Sequence, residues 1–204
     1  MKIILATHNM DKVKEIKDFL KTYEIYALNE ILTPFEIEET GKTFKENALI
    51  KSKAIFNALD KKQINDFITL SDDSGISLPV LGGKPGIYSA RFSGINATDQ
   101  SNRTKLINEL NALNLSKTPA FYTACIAISS KFGDYTTHGF MHGFAINEER
   151  GNNGFGYDFM FIPNGFNKTV GEIDKETKLK ISHRSRGLEL MKHILKVLEK
   201  RYQI

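Results

Sequence analysis

The sequence predicts an α/β fold with a mixed central sheet flanked by helices. Short apolar runs typical of strands alternate with segments that carry apolar residues at helical spacing. Two long strand-like runs follow each other across a short turn, which indicates one antiparallel hairpin in the sheet. A chain of 204 residues can bury a sizeable core as one domain or as two closely packed lobes. We therefore expect a single domain over residues 1–204.

The first half of the chain opens with a strand, a tight turn and a helix. The run "KIILA" predicts a buried strand, and "DKVKEIKDFLKTY" places apolar residues on one helical face. Further strands are expected at "EIYAL" and "FEIEE". A capping-box spacing predicts a helix from Thr43 to about Asp60. The run "DFITLS" then predicts a strand that ends at the pair Asp72 and Asp73.

The second half of the chain predicts the hairpin and two longer helices. The first helix is expected from about Thr98 to Leu113. The run "FYTACIAISSKFGDYTTHGFM" predicts a hairpin that turns at Lys131 to Asp134. The last helix is expected from Ser182 or Arg184 to Lys200. Its apolar stripe consists of Leu188, Met191, Leu195 and Leu198.

Composition and charge exclude several classes of protein. The contents of 41% hydrophobic and 25% charged residues are ordinary for a globular chain. No apolar run is long enough for a membrane span, and the N-terminal run is too short for a signal peptide. We therefore expect a cytoplasmic protein without a membrane partner. The net charge of +4 suits an anionic ligand, but a basic cluster of the kind that binds nucleic acid is missing.

The segment "ATHNMDK" predicts an anion site at the start of the first helix. Asn9 suits the N-cap position, so backbone N–H groups and the positive helix end would face the preceding loop. Lys12 falls in the first turn, where its charge opposes the helix dipole unless an anion lies beside it. A solvated surface lysine is the alternative for this motif alone.

One lysine of the helix that begins near Thr43 falls on an apolar face. Successive residues of a helix advance by about 100°, so Lys51 lies in the stripe formed by Phe44, Ala48 and Ile55. A buried ammonium without a partner is costly, so Lys51 must meet an anion. An ion pair with an acid of the sheet and an anionic ligand both satisfy this condition.

Two acidic clusters suggest a magnesium site. Glu36 and Glu38 would share one face of the "FEIEE" strand. Asp72 and Asp73 follow an apolar strand, at the sheet edge where α/β proteins bind ligands. Carboxylate oxygens suit Mg²⁺, which proteins hold through one or two acids together with substrate phosphates. A solvated strand face and an ordinary Asp-Ser-Gly turn are the alternatives.

The run "NNGFGYDF" predicts a loop that stacks an aromatic base. Glycines flank Phe155 and Tyr157, and Asp158 follows. Core packing of one of the two rings is the alternative. His183 and Arg184, near the start of the last helix, would donate hydrogen bonds to the oxygen-rich edge of a base or lie at the surface.

Six motifs occur in a fixed order over nearly the whole chain. They are "ATHNMDK", "EETGKTFKENALIKSKA", "SDDSG", "LGGKPGIYSARFSG", "NGFGYD" and "ISHR". Together they resemble the inosine triphosphate pyrophosphatase family. The resemblance implies a mixed α/β fold with two lobes around a nucleotide-binding cleft, and a homodimer. It also implies Mg²⁺-dependent cleavage of purine nucleoside triphosphates (ITP, dITP and XTP) to the monophosphate and pyrophosphate.

The same resemblance assigns site residues. Phosphate binding falls to Thr7, His8, Asn9, Met10, Asp11 and Lys12. The metal site falls to Glu38 and Asp73, with Asp72 in support. Asp73 is also the implied proton acceptor for the attacking water, while Lys12 and Lys51 would neutralise charge. The remaining substrate contacts fall to Ser74, Phe155, Gly156, Tyr157, Asp158, Lys178, His183 and Arg184.

Three positions depart from the pattern of that family. Phe159 stands where proline is common, His8 where a small residue is frequent, and Ser71 where alanine is common. Phe159 would reshape the loop that supports the base, so it bears on the substrate ranking more than on the reaction. His8 would contact phosphate or face solvent.

Two other functions stay open on the sequence. A related pyrophosphatase that prefers modified pyrimidine nucleotides would share the phosphate chemistry and differ in the base site. A non-catalytic nucleic-acid-binding domain would account for the basic balance, but the chain lacks an RNA-recognition signature.

Overall fold

The computed structural model describes residues 1–33 and 35–203. The strands are β1 (Lys2–Leu5), β2 (Ile25–Ala27), β3 (Phe67–Ser77), β4 (Lys117–Ser130), β5 (Gly133–Ile146) and β6 (Phe161–Pro163). The helices are α1 (Met10–Phe19), α2 (Leu28–Ile31), α3 (Phe44–Asn57), α4 (Gln63–Asp66), α5 (Asp99–Ala112), α6 (Lys175–Ile181) and α7 (His183–Tyr202). Short 3₁₀ helices span Pro79–Leu81, Gly86–Arg91, Asp158–Met160 and Val170–Glu172.

The strands form a mixed six-stranded sheet in the order β2-β1-β3-β4-β5-β6. β1 is parallel to β2 and to β3, with Leu5 opposite Ala27 on one side and Leu70 on the other. β6 is antiparallel to β5. Only Lys131 and Phe132 separate β4 from β5, at the turn that the sequence predicts. The α/β fold with a mixed sheet is therefore confirmed.

The chain folds into two compact units. Unit 1 comprises the described residues of 1–73, 124–139 and 184–203, and unit 2 comprises 74–123 and 140–183. β3, β4 and β5 each contribute residues to both units.

Strand β1 of unit 1 is buried on both faces. Successive side chains of a strand point to opposite faces. Ile3 and Leu5 accordingly share a core with α1 and α7, whereas Ile4 and Ala6 share a core with Ile55 of α3. Burial on both faces explains why the first strand is an uninterrupted apolar run.

The last helix packs as its periodicity predicts. All four stripe residues, Leu188, Met191, Leu195 and Leu198, are fully buried in the core that α7 shares with α1 and β1. The charged residues of α7 lie mostly on its other face. No helix within the described ranges is both long enough and apolar enough to cross a membrane.

The core of unit 2 forms around α5. Leu106 and Leu110 of this helix are fully buried beside Ile76, Tyr122 and Phe161. The rings of Tyr122 and Phe161 meet edge-on, with centroids 4.9 Å apart. The loop that precedes β6 carries the predicted base-binding residues, and its Tyr157 is part of this core.

Two strand predictions are wrong. The expected strand at "FEIEE" does not form, because Phe35 is exposed and Ile37 is only half-buried, so the alternation has no buried face to stabilise it. β3 does not end at the double aspartate but continues to Ser77. Its neighbour β4 is a strand of 14 residues, which provides a partner after β1 has ended. The Asp-Ser-Gly turn alternative is thereby excluded.

Candidate active site

The double aspartate of β3 directs its two carboxylates to opposite faces of the sheet. Asp72 and Asp73 are adjacent in a regular strand, so their side chains alternate. Asp73 contacts α3, whereas Asp72 contacts α1 and α7. Both side chains are buried. Each aspartate therefore has its own set of cations.

Asp73 forms a buried ion pair with Lys51 of α3. Lys51 Nζ lies 2.7 Å from Asp73 Oδ1 and 3.4 Å from Glu39 Oε1. Burial raises the pKa of Asp73, and the Lys51 ammonium offsets only part of that effect. Burial opposes ionisation of Lys51, but the two carboxylates outweigh it and raise the pKa of Lys51. The alternative in which Lys51 meets an acid of the sheet is confirmed.

Hydroxyl groups hold α3 against β3 on this face of the sheet. Thr69 Oγ1 donates to the carbonyl oxygen of Ser52 at 2.8 Å, and Ser71 Oγ donates to that of Ala48 at 2.6 Å. Ser71 and Thr69 lie two and four residues before Asp73 in β3, so all three side chains point to the same face of the sheet and reach α3. Ser71, one of the departures from the family pattern, therefore has a defined partner.

Asp72 is enclosed by two cations. Its Oδ2 atom lies 2.8 Å from Lys12 Nζ and 3.0 Å from Arg184 Nη2. Burial alone would raise the pKa of Asp72, but Arg184 and Lys12 outweigh it and hold that pKa far below its usual range. Arg184 also pairs with Glu15 of α1. This cluster ties α1, β3 and α7 together within unit 1.

These contacts correct three interpretations of the sequence. Arg184 is 3% exposed, so it is not a surface residue. Lys12 is not a solvated lysine, because its side chain is 16% exposed and burial lowers its pKa despite the opposing effect of Asp72. Asp72 does not join Asp73 in one acidic cluster, since the two point to opposite faces of the strand.

The start of α1 has the predicted N-cap. Asn9 Oδ1 accepts hydrogen bonds from the N–H groups of Asp11 at 3.0 Å and Lys12 at 3.1 Å. Thr7 Oγ1 accepts a further bond from the Asn9 N–H group at 3.1 Å. The side chains of His8, Met10 and Asp11 are exposed. The motif therefore presents an ordered helix N-terminus to solvent.

Asp73 retains one oxygen that could accept a further ligand. Its Oδ2 atom is buried and has no hydrogen-bond partner among the described residues. Glu39 approaches Lys51 from the preceding loop, and its neighbour Glu38 is exposed. Within 1–33 and 35–203, no three His, Cys, Asp or Glu side chains are grouped to hold a metal. These acids suit an ion such as Mg²⁺, which takes few protein ligands and completes its shell with phosphate and water.

In unit 2, Phe155 and Tyr157 of the loop 152–159 have different environments. Tyr157 is 4% exposed and donates its hydroxyl to the carbonyl oxygen of Ser89 at 2.9 Å. Phe155 is half-buried, and Lys178 Nζ lies 4.8 Å from its ring centroid. The alternative in which one of these two rings packs in the core is confirmed. Of the two, Phe155 has surface to offer a base.

Asp158 organises the same loop. Its Oδ2 atom accepts a hydrogen bond from the Phe155 N–H group at 3.0 Å and pairs with Lys178 Nζ at 2.7 Å. Gly154 has a φ of +89°, and a Cβ there would lie 2.3 Å from Asp158 Oδ2. Only glycine fits this position without strain.

His183 and Ser74 also lie in unit 2. The His183 ring stacks on Tyr122, with centroids 4.5 Å apart and an interplanar angle of 12°. His183 is buried, so its placement at the surface is wrong. Ser74 is half-buried on β3, directly after Asp73.

Four residues near these groups were not predicted. Glu15 lies three residues after Lys12, and this helical spacing was the available signal. Glu39 stands beside Glu38, and nothing in the sequence distinguishes their roles. Asp99 and Arg103 have the i,i+4 spacing of an exposed helical ion pair, yet both contact the main chain of the loop 152–159.

Known proteins resemble this chain along almost its whole length. The model of the Ham1 family matches residues 3–194. A dITP/XTP pyrophosphatase of Campylobacter concisus is 66% identical, over 99% of this chain and 100% of that protein. The Ham1 protein of Staphylococcus aureus is 34% identical, with a TM-score of 0.82 over 96% of this chain and 98% of that one. The HAM1 protein of Coxiella burnetii is 35% identical, with the same TM-score and coverage. The family match extends from β1 into α7 and includes the ion pairs of Asp72 and Asp73 and the loop of Phe155, so the chain belongs to the Ham1 family.

Proposed function

We propose that this protein is a nucleoside triphosphate pyrophosphatase that hydrolyses dITP, XTP and ITP to the monophosphate and pyrophosphate. Relatives that are 66% and 65% identical carry the name dITP/XTP pyrophosphatase. The observation that carries the proposal is the buried Asp73. Lys51 holds one of its oxygens, while the other has no partner among the described residues and is available to a water molecule.

Asp73 is the general base of this proposal. Its raised pKa, which burial causes, brings the carboxylate closer to the range in which it can take up and release a proton. Lys51 fixes the orientation of the carboxylate through Oδ1 and leaves Oδ2 for the attacking water. The hydrogen bonds of Thr69 and Ser71 to α3 keep the lysine in place.

The acids beside Lys51 support a magnesium site. The carboxylates of Asp73 and Glu39 face one ammonium group, which leaves a net negative charge for a divalent cation. We assign the ion to Asp73 together with the loop acids Glu38 and Glu39. Mg²⁺, when bound, neutralises the triphosphate and lowers the pKa of water.

The triphosphate is assigned to the motif from Thr7 to Lys12. Its exposed helix N-terminus offers a positive dipole end to an anion. Lys12 adds a cation there and is itself held by Asp72. Arg184 balances the buried charge of Asp72 from the other side.

The base is assigned to the loop 152–159 and its neighbours. Phe155 offers its ring, and base–aromatic stacking contributes about 1–3 kcal/mol. Lys178, Asp158 and His183 supply polar groups, while Gly156 and Tyr157 contribute through the loop's main chain. A 6-amino purine would leave buried groups of such a site unpaired. Sites of this kind discriminate by roughly 10⁴ to 10⁵-fold.

Some finer features are predictions from the sequence alone. The homodimer and the binding of the nucleotide in a two-lobed cleft follow from the family resemblance, and the cytoplasmic location follows from the lengths of the apolar runs. A preference for modified pyrimidine nucleotides is the alternative within the same chemistry. The name shared by the relatives favours the purine substrates.

A chromatographic product assay tests the function directly. The purified chain is incubated with Mg²⁺ and, in parallel, with ITP, dITP, XTP, ATP, GTP and UTP. We expect monophosphate and pyrophosphate from the first three and little from the others. Release of orthophosphate would contradict the cleavage position, and equal turnover of all six would contradict the base assignment. Replacing Mg²⁺ by EDTA should abolish turnover.

A further inference from the structure

Two side chains of α5 bond the two main-chain groups of one residue in the loop 152–159, Gly156. The N–H group of Gly156 donates to Asp99 Oδ2 at 2.8 Å. Arg103 Nη1 donates to the carbonyl oxygen of the same residue at 2.9 Å. The N–H and C=O groups of Gly156 are therefore both bonded to α5, and the apolar residues of this helix lie in the core of unit 2.

The Arg103 side chain is fixed on every side. Its Nε atom lies 2.8 Å from Glu149 Oε2, and its Nη2 atom donates to Gln100 Oε1 at 2.6 Å. The guanidinium group also lies over the Phe159 ring, 4.6 Å from the centroid. Only 9% of the side chain is exposed. A guanidinium held in this way loses little further freedom when it bonds the loop.

Gly156 lies between Phe155 and Tyr157. Tyr157, on one side, is anchored to Ser89 in the core. Phe155, on the other side, is half-buried and contacts Asp158 and Lys178. Gly156 has a φ of +58°, a left-handed conformation that favours glycine. The bonds of Asp99 and Arg103 fix the two peptides on either side of Gly156, and through them the direction in which the chain presents Phe155.

We propose that Arg103 is a positioning residue for base recognition, with Asp99 as its partner on the same residue, Gly156. Arg103 acts through Gly156 on Phe155 and makes no contact with the phosphates. Phe159 contributes to the same positioning, because its ring packs against the Arg103 guanidinium that bonds the loop. This inference rests on the proposed function, in which Phe155 stacks on the base.

The test compares Arg103→Met with Lys105→Met. Lys105 is a matched control on α5, because it also donates to a main-chain carbonyl, that of Phe92 at 2.8 Å, and lies over an aromatic ring, at 4.5 Å. Arg103→Met should raise KM for dITP about tenfold, the loss expected from one charge-assisted hydrogen bond, with kcat within about twofold. Lys105→Met should leave both constants unchanged. Arg103→Lys should recover part of the loss.

Two further measurements separate positioning from general loss of structure. The inhibition constant of inorganic tripolyphosphate, which has no base, should be the same in Arg103→Met as in the unaltered chain. In a double-mutant cycle, Arg103→Met should add nothing to Phe155→Ala, because both changes remove the same stacked ring. Asp99→Ala, a second variant, should raise KM for dITP in the same direction.

The outcomes distinguish this inference from the proposed function. An unaltered chain that does not cleave dITP contradicts both. An active chain whose Arg103→Met variant keeps its KM, or loses affinity for tripolyphosphate equally, overturns the positioning role alone. Additive effects in the cycle with Phe155→Ala also overturn it.

Discussion

Lys51 Nζ lies 2.7 Å from Asp73 Oδ1, and the two residues belong to a helix and a strand that are joined by two further hydrogen bonds. The pair is buried, so neither charge is solvated as it would be at the surface. Lys51 can therefore hold the carboxylate in one orientation. The remaining oxygen of Asp73 is left in a defined position.

Asp73→Asn should abolish most turnover without unfolding the protein. The amide can still accept a hydrogen bond from Lys51, but it cannot take a proton from water. We expect kcat for dITP to fall by about 10²- to 10⁴-fold, the usual contribution of a general base. Asp134→Asn is the matched control, because Asp134 pairs at the surface with Lys53, which lies in α3 like Lys51. Turnover of Asp73→Asn close to that of the control would exclude the base assignment.

Lys51→Met should lower both activity and stability. Removal of one partner leaves the carboxylate of Asp73 buried without its cation, which costs about 3–5 kcal/mol when a pair is fully buried. Urea unfolding measures this loss. Lys53→Met removes an exposed cation from the same helix and should change the free energy of unfolding by less than about 1 kcal/mol. Equal stability of the two variants would show that the Lys51 pair is not buried as described.

Arg184→Met should act on stability and not on base selectivity. The substitution leaves Asp72 with Lys12 as its nearest cation and Glu15 without its arginine. We expect the free energy of unfolding to fall by about 3 kcal/mol. Lys192→Met, which removes a surface pair from the same helix, should have little effect. The ratio of kcat/KM for dITP to that for dATP should stay constant, and a large change in this ratio would indicate a direct contact between Arg184 and the base.

Phe155→Leu and Tyr157→Phe should differ in substrate affinity. Loss of the Phe155 ring removes about 1–3 kcal/mol of stacking and should raise KM for dITP by roughly tenfold or more. Tyr157→Phe removes only the hydroxyl that donates to Ser89, inside the core. It should cost about 1 kcal/mol of stability and leave KM unchanged. Measuring KM and urea unfolding for both variants tests which ring faces the base, and the reverse pattern would exchange their roles.

The sequence by itself determined the features that depend on short-range patterns. Asn9 and Thr43 cap α1 and α3 as predicted, because a cap needs only a suitable side chain at the right spacing from the helix N–H groups. The apolar stripe of α7 and the burial of β1 on both faces also follow from local sequence patterns. The need for an anion at Lys51 could be derived in the same way, since helical geometry alone places that lysine on a buried face.

Only the tertiary structure decided which partner each charged residue has. Arg184 pairs with Asp72 across 112 residues and also with Glu15, and no local pattern selects these two acids over those of the loop 35–43. The strand length of β3 determined that the two aspartates serve opposite faces of the sheet, which a turn would not have required. The choice between Phe155 and Tyr157 depended on the carbonyl of Ser89, far away in the sequence. Partners of this kind are fixed by chain packing over long separations, whereas caps and stripes are fixed within one or two helical turns.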